Sequence, residues 1–166
     1  MKAVSDSTPL IHLSKIGCLN FLKELFEEII IPKAIYEEVI IKGKTLGKNE
    51  IILIEKLIEE GFIITKESKS KIELENLDKG ERECIALCKE LNINNILIDE
   101  KQGFKVSLMF NLTPIRTTSI LIILLDRKII TFSKYKDLLK ELPRGGYFLD
   151  ALTYEKLLKI GENLVK

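Results

Sequence analysis

Two short apolar runs in this chain of 166 residues end on an aspartate: Val4-Ser5 stops at Asp6, and Leu97-Ile98 stops at Asp99. In open parallel sheets, ligand sites form beyond the carboxyl ends of strands, where the chain order reverses. If the two runs are neighbouring strands, the two carboxylates face each other across that crevice. Two glutamates are placed to join them. Glu38 lies on a helix opened by Pro32, and Glu81 lies in the first turn of the helix feeding the Asp99 strand. Four converging carboxylates repel and raise one another's pKa. A hard divalent cation, Mg²⁺ or Mn²⁺, removes that penalty, because it takes oxygen ligands and keeps several waters. One or two such ions can activate water and hold both oxygens of an in-line phosphoryl displacement. That chemistry needs no histidine, and the chain has one, His12.

Each acid also has a structural role open to it. Asp6 before Ser7-Thr8-Pro9 reads as a helix N-cap. Glu38 reads as one charge on a solvated helix face, Glu81 as a complement to a helix dipole, and Asp99 as the start of a turn. His12, inside Pro9-Leu10-Ile11-His12-Leu13, reads as a surface or capping residue. Cys84 and Cys88 stand four apart on a helical pattern, but no further Cys or His lies nearby to complete a tetrahedral site. They read as small core residues. With Cys18 they make an odd count in a chain that reads as cytoplasmic, so no disulfide framework is expected.

The elements that must position these residues alternate short β-type runs with helical patterns. Strands are expected at residues 3–5, 29–31, 62–65 and 96–98, with 113–115 short and extended. Helices are expected from Thr8-Pro9, over 19–28, from Pro32 through Glu38, over 50–60 with Gly61 as its stop, and over 81–91, 101–110, 119–126, 133–142 and 152–158. Residues 43–47 read as a loop, and Pro143-Arg144-Gly145-Gly146 as a turn. Short apolar strands separated by helices predict a parallel sheet covered on both faces. No linker or repeat divides the chain, so residues 1–166 read as a single domain.

Composition narrows the function. Hydrophobic residues make up 46% and charged residues 31%, which excludes intrinsic disorder. No apolar run reaches the roughly 18–20 residues a membrane helix needs; the longest, residues 115–130, is broken by Arg116, Asp126, Arg127 and Lys128. The start of the chain meets Asp6 before an apolar leader could form. The net charge is +1, with 26 basic and 25 acidic residues. That argues against a surface basic all over, yet four acids neutralised by metal would leave a clearly basic remainder. No G-x-x-x-x-G-K-[ST] occurs, so a Walker-type nucleotide enzyme is excluded. Asp6-Ser7-Thr8 lacks the second aspartate that an aspartyl-nucleophile phosphatase needs.

Four segments together resemble the PIN-domain proteins, and most closely the prokaryotic PIN-like branch DUF3368. They are Val4-Ser5-Asp6-Ser7-Thr8-Pro9-Leu10-Ile11, Ile31-Pro32-Lys33-Ala34-Ile35-Tyr36-Glu37-Glu38-Val39, Gly80-Glu81-Arg82-Glu83-Cys84-Ile85-Ala86-Leu87 and Ile96-Leu97-Ile98-Asp99-Glu100. Each alone is unspecific; their order and spacing hold from residue 4 to about residue 130. The resemblance implies a three-layer α/β/α sandwich with a central parallel sheet. It also implies an acidic cluster that binds Mg²⁺ or Mn²⁺ and cleaves RNA. Carried over by position, Asp6, Glu38, Glu81 and Asp99 match the four acids, and Thr8 the hydroxyl that assists the first. Thr118 falls where the family has another hydroxyl, and Thr117 stands where relatives often have glycine. Glu83 and Glu100 neighbour the third and fourth acids; toxin-type relatives often carry aspartate at the third.

Three readings follow. The first is a metal-dependent ribonuclease, the toxin of a toxin–antitoxin pair, with RNA as substrate and an antitoxin protein as partner. Its phosphate-contacting rim would be Lys101, Lys105, Arg116 and Arg144. The second is a nucleic-acid-binding or protein-interaction module of the same fold without turnover, which the near-neutral charge and only four arginines favour. The third, another acid-cluster enzyme, fails on the missing aspartate. The resemblance also implies a homodimer, with apolar residues such as Leu121 to Leu125 to spare.

Overall fold

The computed structural model describes residues 1–74 and 76–166. Five strands form one parallel sheet in the order β3-β2-β1-β4-β5. They are β1 (Lys2–Ser5), β2 (Glu28–Pro32), β3 (Ile63–Lys66), β4 (Asn95–Leu97) and β5 (Thr113–Ile115). The chain moves outward from β1 through β2 to β3, then returns to β1's other side for β4 and β5. The order therefore reverses between β1 and β4, the place where parallel sheets open a ligand crevice. Ala3, Val4 and Ser5 pair with Asn95, Ile96 and Leu97.

The central strands are apolar on both faces because helices cover both. Ile29, Ile30 and Ile31 in β2 are all buried, as are Ala3 and Val4 in β1. The helices are α1 (Ser7–Lys15), α2 (Leu22–Leu25), α3 (Lys33–Tyr36), α4 (Gly43–Thr45), α5 (Ile51–Glu59), α6 (Lys79–Glu90), α7 (Lys101–Met109), α8 (Thr117–Asp126), α9 (Phe132–Arg144) and α10 (Ala151–Leu164). Helix α6 crosses β1, β2 and β4, with α3 beside it, while α1 packs against α5 and α8, and α8 carries α9 and α10. The result is an α/β/α sandwich. The longest helix has 14 residues, and among the described residues no helix is long and apolar enough to cross a membrane.

Several local expectations change. The helix expected over 19–28 is a 3₁₀ turn at Leu19–Phe21 followed by the four-residue α2, because Glu28 is drawn into the sheet opposite Lys2. Residues 43–45 are helical rather than loop. A Cβ at Gly43 would lie 2.6 Å from Ile51 Cγ2, so only glycine lets this turn sit on α5. Pro143 and Arg144 close α9, and the turn begins at Gly145. The Leu121–Leu125 segment is no spare surface: Leu121, Leu124 and Leu125 are buried. The three cysteines are free and buried.

One pairing far from the sheet matters for the site. A Cβ at Gly161 in α10 would lie 2.5 Å from the Tyr135 ring of α9, and the Tyr135 hydroxyl donates to the Leu157 carbonyl at 2.8 Å. This close crossing fixes the ends of the α9–α10 loop, while Lys15 Nζ donates to the Gly145 carbonyl at 3.0 Å.

Candidate active site

Asp6 follows β1 and takes the N-cap position of α1, yet its side chain makes no capping hydrogen bond. Its backbone N–H donates to the Leu97 carbonyl at 2.9 Å, continuing the β1–β4 ladder. The carboxylate is buried, and burial pushes its pKa up to about 7. The Ser7 backbone amide opposes this, and the charges of Asp78, Glu38 and Glu81 add to it. Helix capping therefore does not explain an acid at this position.

Glu38 reaches Asp6's neighbourhood from the π-helical segment Glu37–Lys42 that continues α3. Such widened turns recur at functional sites. Its Oε1 accepts from Ser7 Oγ at 3.0 Å. Glu37 is exposed beside it and is not among the acids acting on Asp6.

Glu81 is held by a capping box at the start of α6. Glu81 N donates to Asp78 Oδ1 at 2.8 Å, and Asp78 N donates to Glu81 Oε2 at 3.0 Å. Burial raises the Glu81 pKa, with the charges of Asp78 and Glu100 adding and backbone amides of Asp78 and Gly103 opposing. Its Oε1 lies where a Cβ on Gly103 would come within 2.5 Å, and a Cβ on Gly80 would lie 3.6 Å from Asp6 Oδ1. Gly103 thus leaves room for the Glu81 carboxylate, whereas Gly80 is required by Ile35, whose Cδ1 a Cβ there would meet at 2.6 Å. Asp78, whose charge also acts on Asp6, is an acid not among the four expected. The D-x-x-E spacing of a capping box was its visible signal.

Asp99 belongs to a second network. Its Oδ1 accepts from Thr117 N at 2.9 Å and from the Tyr147 hydroxyl at 3.1 Å, and its Oδ2 accepts from Thr117 Oγ1 at 2.7 Å. Burial pushes its pKa up, and these bonds together with nearby His12 oppose the rise. The hydroxyl on Asp99 is that of Thr117; Thr118, the next residue, is buried. His12 is no surface residue or cap: it is half-buried, edge-on to Tyr147 with ring centroids 5.1 Å apart. Its Nδ1 is buried without a hydrogen-bond partner, and burial lowers its pKa.

Thr8, His12, Asp99, Lys101, Arg116 and Tyr147 line one cavity of about 480 Å³. Of the basic residues, Lys101 is exposed and Lys105 stands exposed one turn further along α7. The Arg116 guanidinium lies over the Phe104 ring, 4.5 Å from its centroid, with Nε buried and unpartnered. Arg144 is ion-paired with Glu141 at the end of α9 and does not line this cavity. Glu83 is committed elsewhere, accepting from Ala34 N at 3.2 Å. Glu100 precedes α7 and lines the Asp99 cavity.

The structure thus brings Glu38, Glu81 and Asp78 near enough for their charges to act on Asp6 and ties Asp99 to Thr117 and Tyr147. Among the described residues, no three His, Cys, Asp or Glu side chains are grouped tightly enough to hold a metal ion as they stand. The donors are all oxygens, the set a hard divalent cation takes.

A family model described as a PIN domain, DUF3368, matches residues 2–162. No curated protein and no solved structure matches the chain. The matched span runs from β1 into α10 and includes every acid described above. By this match, and with a parallel sheet whose adjacent strands β1 and β4 lead into Asp6 and Asp99, the chain belongs to the DUF3368 family of PIN domains.

Proposed function

We propose that this protein is a Mg²⁺- or Mn²⁺-dependent ribonuclease that hydrolyses RNA phosphodiester bonds. PIN domains have a nuclease-type fold and generally depend on divalent metal. The observation that carries the reading is Asp6, buried among like charges at the sheet's switch point, with a side chain that caps nothing. A group so placed destabilises the folded chain unless a cation is meant to meet it.

In this reading Asp6, Asp99 and one of Glu38 and Glu81 hold the cation, and the other glutamate orients the attacking water. When bound, the cation supplies Lewis-acid stabilisation of the phosphodiester oxygens. Thr117 and Tyr147 orient Asp99. Thr8 and Thr118 are the assisting hydroxyls. Lys101 and Arg116 at the cavity contact phosphate, with Lys105 and Arg144 outside it meeting the RNA further along, which positions RNA without reading its sequence. As a toxin, the protein would be held by an antitoxin and would form a homodimer. Exposed Ile41, Leu46 and Ile52 supply apolar surface for such contacts.

The test is a Mn²⁺ titration of melting temperature beside an RNA cleavage assay. Wild type is expected to gain stability with Mn²⁺ and to cleave RNA. Asp6→Asn and Asp99→Asn are expected to lose both responses. Cleavage that survives both substitutions and excess chelator would come from a contaminating nuclease and would sink the reading.

A second reading, RNA binding without turnover, is favoured by one feature. The Asp78–Glu81 capping box and the three bonds to Asp99 satisfy those acids without any cation. It predicts RNA binding that is indifferent to Mn²⁺.

A further inference from the structure

Phe148 is 88% exposed, more than any other large apolar side chain among the described residues. Burying a phenylalanine is worth about 1.5–3 kcal/mol, so folding alone does not account for its position. Its neighbour Tyr147 turns inward and donates to Asp99, and Gly145 is held by Lys15. The loop is therefore pinned on the acid, and Phe148 stands at the rim of the same cavity. The same cavity is lined by Arg116, whose guanidinium lies over Phe104 with an unpartnered Nε, and by the exposed Lys101. An aromatic face set beside cationic donors matches a base and its phosphate.

We infer that Phe148 is the stacking platform for an unpaired RNA base next to the phosphate handled at Asp99, with Arg116 and Lys101 on the backbone. Both faces of a base inside a duplex are already stacked, so the platform selects single-stranded RNA. This inference rests on the ribonuclease reading and adds the residue that positions the substrate. A protein partner would be the other natural cover for an exposed phenylalanine, but Arg116 and Lys101 lining the same cavity favour a polyanion.

The chain has no tryptophan, so Phe148→Trp installs a single reporter on the rim. Its fluorescence is titrated with an unstructured RNA of about ten nucleotides and with the duplex of the same sequence. Phe148→Ala is measured in parallel for RNA affinity by anisotropy and for melting temperature. Expected are quenching by single-stranded RNA alone, and an affinity loss of about tenfold in Phe148→Ala, in the range of one stacked base, at unchanged melting temperature. Equal quenching by both RNAs, or wild-type affinity in Phe148→Ala, overturns the stacking role and leaves the ribonuclease reading standing. Quenching without any metal-dependent cleavage by wild type supports the platform and sinks the ribonuclease. No RNA bound by wild type overturns both. A blue shift that grows with protein concentration in the absence of RNA means a second copy covers Phe148, and it also overturns the inference.

Discussion

Asp6 and Asp99 leave adjacent parallel strands one residue out of step, since Ser5 pairs with Leu97, and their carboxylates are wired in opposite ways. Asp99 accepts three hydrogen bonds. Asp6 makes no capping bond and has acids around it. Burial raises the pKa of both aspartates, but at Asp6 only the Ser7 backbone amide opposes it, so ionisation of Asp6 works against folding with the least to offset it.

The pH dependence follows with a definite sign. The folded-state pKa of Asp6 is raised from 3.8 to about 7. Below pH 3.8 the carboxyl is protonated in both states and contributes nothing. Between about pH 4 and 7 the unfolded chain loses this proton first, so stability falls by up to about 1.4 kcal/mol per pH unit. Above 7 the penalty is complete. In chelator, Asp6→Asn is expected to melt higher than wild type at pH 8, with the gain shrinking toward pH 4. Urea unfolding across that range checks it. A uniform loss of about 1 kcal/mol at every pH would mean that Asp6 serves as a helix cap after all.

The sheet and its two aspartates were legible because strand ends leave a plain signature: a β-branched or apolar run stopped by an acid. The start of α3 was legible from Pro32, whereas α6 starts at Lys79, two residues before the expected Glu81, because Asp78 and Glu81 form a capping box. Tyr147 was not, because its role depends on the α9–α10 loop folding back onto Asp99, and that depends on Gly161 against Tyr135, 26 residues apart in sequence. The role of Thr117 was missed for a related reason. Two adjacent threonines give no sign of which hydroxyl faces the acid until the start of α8 is fixed at Thr117. The helix expected over 19–28 failed because sheet pairing at Glu28 overrode the helical period.

Thr117 donates to Asp99 through both its amide and its hydroxyl, at 2.9 and 2.7 Å. Thr117→Val keeps the volume and the amide but removes the hydroxyl. A hydrogen bond to a charged group is worth about 1.5–3 kcal/mol, so stability at pH 7 is expected to fall within that range. Thr118→Val is expected to cost less, since Thr118 makes no bond to Asp99. Chemical denaturation of the two variants side by side decides it; equal losses would remove Thr117 from the site.

Gly103 is a steric prediction. An added Cβ would collide with Ile98 Cδ1 and with Glu81 Oε1. The isoleucine tip can swing, but Glu81 is pinned at Oε2 by Asp78. Gly103→Ala is expected to destabilise by about 1–3 kcal/mol and to abolish the Mn²⁺-induced rise in melting temperature. A variant that melts lower yet still responds fully to Mn²⁺ would show that Glu81 is not a metal ligand.

Glu37 and Glu38 offer a comparison between adjacent glutamates. Both are exposed, but only Glu38 accepts from Ser7 Oγ, at 3.0 Å, and acts on Asp6. Glu37→Gln is expected to change stability by less than about 0.5 kcal/mol, as exposed substitutions usually do, and to leave the Mn²⁺ response intact. Glu38→Gln keeps an acceptor for Ser7 but removes the charge. It is expected to hold its stability in chelator while losing most of the Mn²⁺-induced melting shift and at least tenfold in RNA cleavage. A double-mutant cycle of Ser7→Ala with Glu38→Ala should give a coupling of about 0.5–1 kcal/mol, small because the Glu38 side of the pair is open to water. If Glu37→Gln rather than Glu38→Gln blunts the Mn²⁺ response, the metal-binding role belongs to the neighbouring glutamate, reached by a rearrangement of the π-helical turn. If both variants respond like wild type, the site holds its cation through Asp6, Glu81 and Asp99 alone.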